Sequence, residues 1–207
     1  MKLVREHINE KFTEDSDPIK DMEIGLFDKL KKDYKNEYNW TTPDDSDITY
    51  DLLLIFCLGR DYDLSIIEWL IEAGADPNST NALYFAVQRN KYVKERVELL
   101  LKRGADPKAY RCKAFLWAVY TGNLDAAQLL LDAGVNISVN GGSALTQLMG
   151  TYNFPKHKST IEWLIEKGIK TTGRNYYALR KALQQKEYEL ADIFTKDYLK
   201  ERKLSVK

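Results

Sequence analysis

The tetrapeptide Gly-Ala-Asp-Pro occurs at 74–77 and again at 104–107, an interval of 30 residues that frames the whole chain. The same segment precedes each copy: Leu70-Ile71-Glu72-Ala73-Gly74 returns as Leu100-Leu101-Lys102-Arg103-Gly104. It returns twice more, as Leu130-Leu131-Asp132-Ala133-Gly134 and Leu164-Ile165-Glu166-Lys167-Gly168, so the glycines step by 30, 30 and 34. The hexapeptide IEWLIE stands at both 67–72 and 161–166. A unit this short cannot bury an apolar face alone. It gains a core only by stacking on its neighbours, so the repeat predicts an array in which each unit touches the next.

Apolar residues precede each glycine at i, i+3 and i+4: Ile67/Leu70/Ile71, Val97/Leu100/Leu101, Ala127/Leu130/Leu131 and Ile161/Leu164/Ile165. That spacing lays one stripe along one helix face. Glycine then suits a helix end that turns left-handed, where a Cβ would clash, and Pro77 and Pro107 block continuation. A second unit comes before each striped helix: Asn81 to Val87, Lys113 to Val119, Ser143 to Met149 and Tyr177 to Leu183. Its recurring alanines let neighbouring helices approach closely, and Gly122-Asn123 marks the turn between the two helices. Pairs are expected at about 47–74, 81–104, 113–134, 143–168 and 177–199. The last lacks a terminal glycine but keeps a stripe at Leu190, Ile193 and Phe194, with charged residues around it as on an outward-facing cap.

These G-A-D helix ends and alanine-bearing first helices resemble the ankyrin-repeat family over roughly residues 47–199. The family's T-P-L-H half is not kept. Asn81 and Ser143 alone retain a good N-cap side chain at that place. The stretch from Gly74 to Asn81 is seven positions and from Gly104 to Lys113 nine, too short for extended β-hairpin fingers. The resemblance implies an all-α solenoid of about five helix-turn-helix repeats. The expected organisation is an N-terminal helical capping segment at 1–40, the array at 41–199 and a basic tail at 200–207, a solvated end.

Within the first segment, Ser16-Asp17-Pro18 reads as a helix start with Asp17 as N-cap. Ile19, Met22, Leu26, Phe27, Leu30 and Tyr34 follow on one face, which would cover the open edge of the first repeat; a partner-binding helix is the alternative. Residues 10–22 resemble N-terminal segments of bacteriophage-encoded proteins, which implies a phage or bacterial origin and no activity.

Little in the chain suggests chemistry. Two histidines, His7 and His157, and two cysteines, Cys57 and Cys112, are far apart in sequence, so no metal-ligand spacing and no disulfide framework exists. Cys57 is read as a small core hydrophobe. Asn140-Gly141-Gly142-Ser143 lacks the lysine and spacing of a phosphate loop and reads as a turn with an N-cap. Asp44, Asp45 and Asp47 follow Pro43 and read as the first turn of a helix. Thirty-one basic residues balance thirty-one acidic ones, which speaks against nucleic-acid binding. With no secretory leader and no membrane-length apolar run, a reducing, cytoplasmic setting is expected, the host cytoplasm for a phage product.

The expected function is therefore non-enzymatic: binding of a protein partner, without cofactor, metal or membrane. An inhibitor or adaptor encoded by a phage or bacterium is one form of it. The alternatives are a nucleic-acid-binding protein or an enzyme whose site is assembled across repeats. In ankyrin arrays the first helices and inter-repeat turns line a concave face, and the resemblance places Arg89, Tyr110, Arg111, Tyr120, Asn140 and Tyr176 there. Trp117 falls at an inter-helix packing position. The stretch around 150–159, with Pro155, is an insertion in the fourth pair and a second candidate.

Overall fold

The structure, a computed structural model, describes residues 18–38, 47–60, 62–88, 91–150, 157–171 and 173–205, with side chains described except at 18–22, 140–143, 173–175 and 201–205. Asp17, Asp44, Asp45 and Arg89, the side chains of Asn140 and Ser143, and most of the 150–159 insertion therefore lie outside the description.

Among the described residues the fold is all helical. A long first helix, α1 (Pro18–Tyr38), precedes five helix pairs. The pairs are α2 (Tyr50–Leu58) with α3 (Leu64–Glu72), and α4 (Ala82–Gln88) with α5 (Val93–Lys102). Then come α6 (Ala109–Thr121) with α7 (Leu124–Asp132), and α8 (Val139–Gly150) with α9 (Lys158–Glu166). The last is α10 (Gly173–Gln184) with α11 (Tyr188–Ser205). First helices α2, α4, α6, α8 and α10 pack in sequence as an inner row, and the second helices form an outer row behind them.

The four repeat glycines each end an outer helix in the same way. Gly74, Gly104, Gly134 and Gly168 have φ of +111°, +91°, +96° and +87°. In each case the residue after the glycine donates its N–H to the carbonyl five positions back, as Ala75 does to Leu70 at 2.9 Å. That residue is also buried: Ala75, Ala105, Val135 and Ile169 all join the core beside the leucine they bond. Ile67, Val97, Ala127, Ile161 and the leucines three positions on are fully buried, which confirms the stripe register.

Polar side chains stitch the turns. The Asp51 carboxylate accepts the Asp76 N–H at 2.7 Å, and Asn78 Oδ1 accepts the Asp106 N–H at 2.7 Å. Asp76 and Asp106 each bend back to cap the N–H two residues on, at 2.8 and 2.9 Å. Compact turns of this kind take the place of β-fingers among the described residues.

Several local expectations need correction. Asn81 does not cap α4: it has φ of +67°, and its Oδ1 is buried with no hydrogen-bond partner, because a 3-10 turn at Ser79–Asn81 already leads into the helix. Asp47 lies in a turn; Thr49 caps α2, and the first-turn acid is Asp51. Asn140 to Ser143 lie inside α8, which begins at Val139. Residues 200–205 are not a separate tail, since α11 runs unbroken to Ser205. No Gly or Pro interrupts it, and its Lys, Glu, Arg and Leu residues are strong helix formers.

Candidate functional site

Aligning the inner helices on the buried residues Cys57, Ala86, Ala118, Leu148 and Ala182 puts Phe56, Phe85, Trp117, Gln147 and Lys181 at one equivalent position, a column running across the array. The column begins aromatic and ends polar.

Its first member is sealed. Phe56 is only 4% exposed. Tyr34 and Tyr38 of α1 lie against it, ring centroids 5.5 and 6.3 Å away, and Tyr62 stands at 5.7 Å. The Arg60 guanidinium sits 4.6 Å above the Phe56 ring and donates to Glu37 of α1 at 2.5 Å. Tyr62 donates to the Asp33 carboxylate at 2.9 Å, and burial, reinforced by this bond, raises its pKa. Leu30 is fully buried behind them. Helix α1 thus packs on the first repeat through both an apolar face and two polar latches.

The turn that carries Arg60 and Tyr62 is itself held by Arg96, which the sequence reading passed over. This side chain is 0% exposed and donates to three backbone carbonyls: Leu58 at 3.2 Å, Arg60 at 2.7 Å and Tyr62 at 3.0 Å. The carbonyls at the end of α2 have no helical partner, and a cation there also meets the negative end of the helix dipole. The signal was present. Equivalent outer-helix positions hold Ile66, Ala126, Thr160 and Leu190, the last because Ala191 and Phe194 are the buried pair that matches Val97 and Leu100. An arginine in that column is out of place unless it has carbonyls to bind. Cys57, one residue from Leu58, is fully buried, and burial pushes its thiol up to about 12, partly offset by Arg96. It is inert filling, as read from sequence.

Farther along the column the rings form a ridge. Tyr84 and Trp117 meet edge-on at 5.6 Å, while Trp117 and Tyr120, at 5.4 Å, and Tyr120 and His157, at 5.7 Å, meet at a tilt. Phe85 joins through Tyr84 at 5.7 Å, and Lys113 Nζ sits 3.9 Å over the Tyr84 ring. These four rings and Phe85 are half-buried, with Phe85, Trp117 and Tyr120 resting on the core, while Lys113 is exposed. Trp117 is thus the hub of a surface as well as a packing residue, and Tyr84 and Phe85 were missed altogether. The Trp117 indole N–H is shielded from solvent without an acceptor in reach.

Of the six residues expected on this face, Tyr120 is in the ridge. Tyr110, 55% exposed, lines a small cleft between the turns that follow Gly74 and Gly104, together with Tyr84. Arg111 is exposed next to it. Tyr110, Arg111 and Cys112 form a left-handed turn with φ of 50°, 60° and 58°, after which α6 becomes right-handed. Tyr176 is two repeats away, edge-on to Tyr198 of α11 at 5.1 Å, and is not joined to the ridge.

An open groove of about 410 Å³ lies between the starts of α5 and α7, lined by Tyr92, Lys94, Glu95, Asn123 and Asp125 among others. Glu95 and Asp125 occupy first helical turns, where the dipole favours anions, and no paired nucleophile and base faces the groove. No group of three or more potential metal ligands occurs among the described residues, and no described helix is long and apolar enough to cross a membrane.

Comparison with known proteins bears on residues 53–141, which match the family model described as ankyrin repeats in three copies. The rat and human proteins named ankyrin repeat and SOCS box protein 2 are similar over 90 residues, at 39% and 38% identity. The aligned stretch is 43% of this chain and 14% of each relative, so the chain spans about a seventh of their length. The family model does not reach residues 10–22 and leaves the phage resemblance without support. With the left-handed glycines, the buried stripes and the stacked pairs, the match identifies residues 53–141 as ankyrin repeats in three copies.

Proposed function

We propose that this chain is a non-enzymatic binding protein whose protein partner docks on the inner-helix, concave face, centred on the third repeat. Ankyrin repeats in general mediate contacts between proteins. The observation that carries the reading is the half-exposed ridge Tyr84–Trp117–Tyr120–His157. A rigid cluster of Trp and Tyr on a folded scaffold offers large contact area at small entropic cost, and these residue types dominate interface hot spots. Tyr110 and Arg111 extend the surface toward the inter-repeat turns, and Tyr176 belongs to its margin.

A photo-crosslinking residue in place of Tyr120 tests this directly. Exposed to lysate of the source cell, it should yield one dominant protein adduct, and the same residue at Glu98 on the outer row should not. The double change Arg111→Glu with Tyr120→Ala should remove the adduct at a shared reporter position and cost about 2–4 kcal/mol of affinity, with the melting temperature nearly unchanged. Adducts at Glu98 and none at Tyr120 would move the site to the outer row.

A further inference from the structure

We infer that the partner segment seated on this ridge is an acidic stretch of polypeptide that carries aromatic side chains. The inference rests on the docking surface proposed above and adds the chemistry of what fills it.

Two observations carry it. The first is charge segregation hidden in a balanced total. On the described side chains of the inner helices the basic residues are Arg111, Lys113, Arg180 and Lys181, and the one acid is Asp51. The Asp51 carboxylate is engaged with the Asp76 N–H. On the described side chains of the outer helices the bias is opposite, eleven acidic against six basic. An inner face with basic groups and few free carboxylates attracts acidic segments and repels basic ones, which sets both partner choice and association rate.

The second observation is an occupant of the same column within the chain. At Phe56 the position is covered by α1, whose contributing residues are Asp33, Tyr34, Glu37 and Tyr38. Tyrosine rings lie on the phenylalanine, and the two carboxylates engage Tyr62 and Arg60 beside it. Trp117 occupies the equivalent place two repeats on, with Lys113 on one side and Lys181 at the same column position in the last repeat. An occupant with the same interleaved acidic and aromatic residues meets both the ring face and the cations.

Neighbouring helices pack about 10 Å apart, so α6 to α10 spans roughly 20 Å. That is about 13 residues of helix at 1.5 Å each, or about six extended ones. A fluorescein-labelled peptide of roughly fourteen residues, alternating Glu and Tyr, covers either conformation. Titrated into the full chain and read by anisotropy, it should bind at least tenfold more tightly than peptides alternating Lys with Tyr or Glu with Ser. Its affinity should fall as salt is raised. The variant Lys113→Glu with Lys181→Glu should lose at least tenfold for the Glu–Tyr peptide while keeping its melting temperature. Equal affinity for the acidic and basic peptides overturns the inference. So does the absence of peptide binding, or tighter binding of oligo-deoxythymidine of similar length, which would assign the face to single-stranded nucleic acid. A Tyr120 adduct that survives the double charge reversal unchanged would leave the docking face standing and remove the acidic partner.

Discussion

Phe56 and Trp117 occupy the same position in repeats one and three, yet one is sealed and the other is half open. Around Phe56 the chain supplies its own cover: two tyrosines and two carboxylates from α1, an arginine over the ring, and Arg96 bracing the turn beneath. Around Trp117 the rings stack on one another and stop at solvent. A terminal repeat has no neighbour on one side, so its exposed column must be capped for stability. An internal repeat is already held by both neighbours, and its column is free to serve recognition. Burial at the first site contributes to folding; the same residue class at the third is available for binding.

The largest effect should come from removing the brace. Arg96→Leu leaves three turn carbonyls without their donor in a buried site, and should cost about 3–5 kcal/mol in urea melts. It should also loosen α1, seen as faster amide exchange across residues 30–38. A cost below about 1 kcal/mol would mean that the turn holds itself and that the covered region owes its order to apolar packing alone.

Alkaline titration sharpens the same contrast. The Cys57 thiol is raised by burial to about 12 from an ordinary value of 9. A raised folded-state value means that the native state holds its proton longer than the unfolded state does. The stability linked to that proton is complete below pH 9 and falls as pH rises from 9 to 12, by up to about 1.4 kcal/mol per pH unit. Tyr62, shifted in the same direction, adds to the loss above about pH 10. Stability followed by urea melts from pH 8 to 11 should therefore decline, and Cys57→Ala should flatten the decline although it is less stable at neutral pH. A flat profile in the parent chain would show that the first repeat is not sealed.

The expected effect at the open site is small and of opposite sign. Arg111 holds φ of 60° between two other left-handed residues, a conformation that costs non-glycine residues about 1–2 kcal/mol each. Arg111→Gly should therefore stabilise the fold by up to about 1 kcal/mol while weakening partner binding, a stability gain where function is lost. Destabilisation by more than about 1 kcal/mol would show that the left-handed turn is not populated.

The repeat frame was legible because its punctuation is local. A left-handed helix end needs glycine, and a stripe at i, i+3 and i+4 reports its own burial, so Gly104, Val97 and Leu100 could be placed without any distant contact. That the first helix covers the first repeat was read from its apolar face, Tyr34 included. That Asp33 and Glu37 would engage Tyr62 and Arg60 around Phe56 was not, because an amphipathic face does not say which polar partners it meets some twenty positions away. Trp117 was ambiguous for another reason: its position packs against neighbouring helices and also borders solvent, and periodicity cannot separate the two. Tyr120 and Tyr110 could be placed by alignment to the family, whereas Tyr84 and Phe85 emerge only once the rings are seen in contact across repeats. Arg96 was readable in principle, as the one cation in a column of Ile, Ala, Thr and Leu.

The contrast between the two aromatic positions is tested most directly by truncating both and measuring stability and partner affinity for each. Phe56→Ala should lower stability by about 3–5 kcal/mol and, under conditions where the array remains folded, leave affinity within about threefold of the parent. Trp117→Ala should cost less than about 2 kcal/mol of stability, because its ring is half in solvent, and should reduce affinity by a hundredfold or more. If the two variants lose stability and affinity in equal measure, or if Trp117→Ala binds as the parent does, the third-repeat ridge is core rather than interface and the account fails.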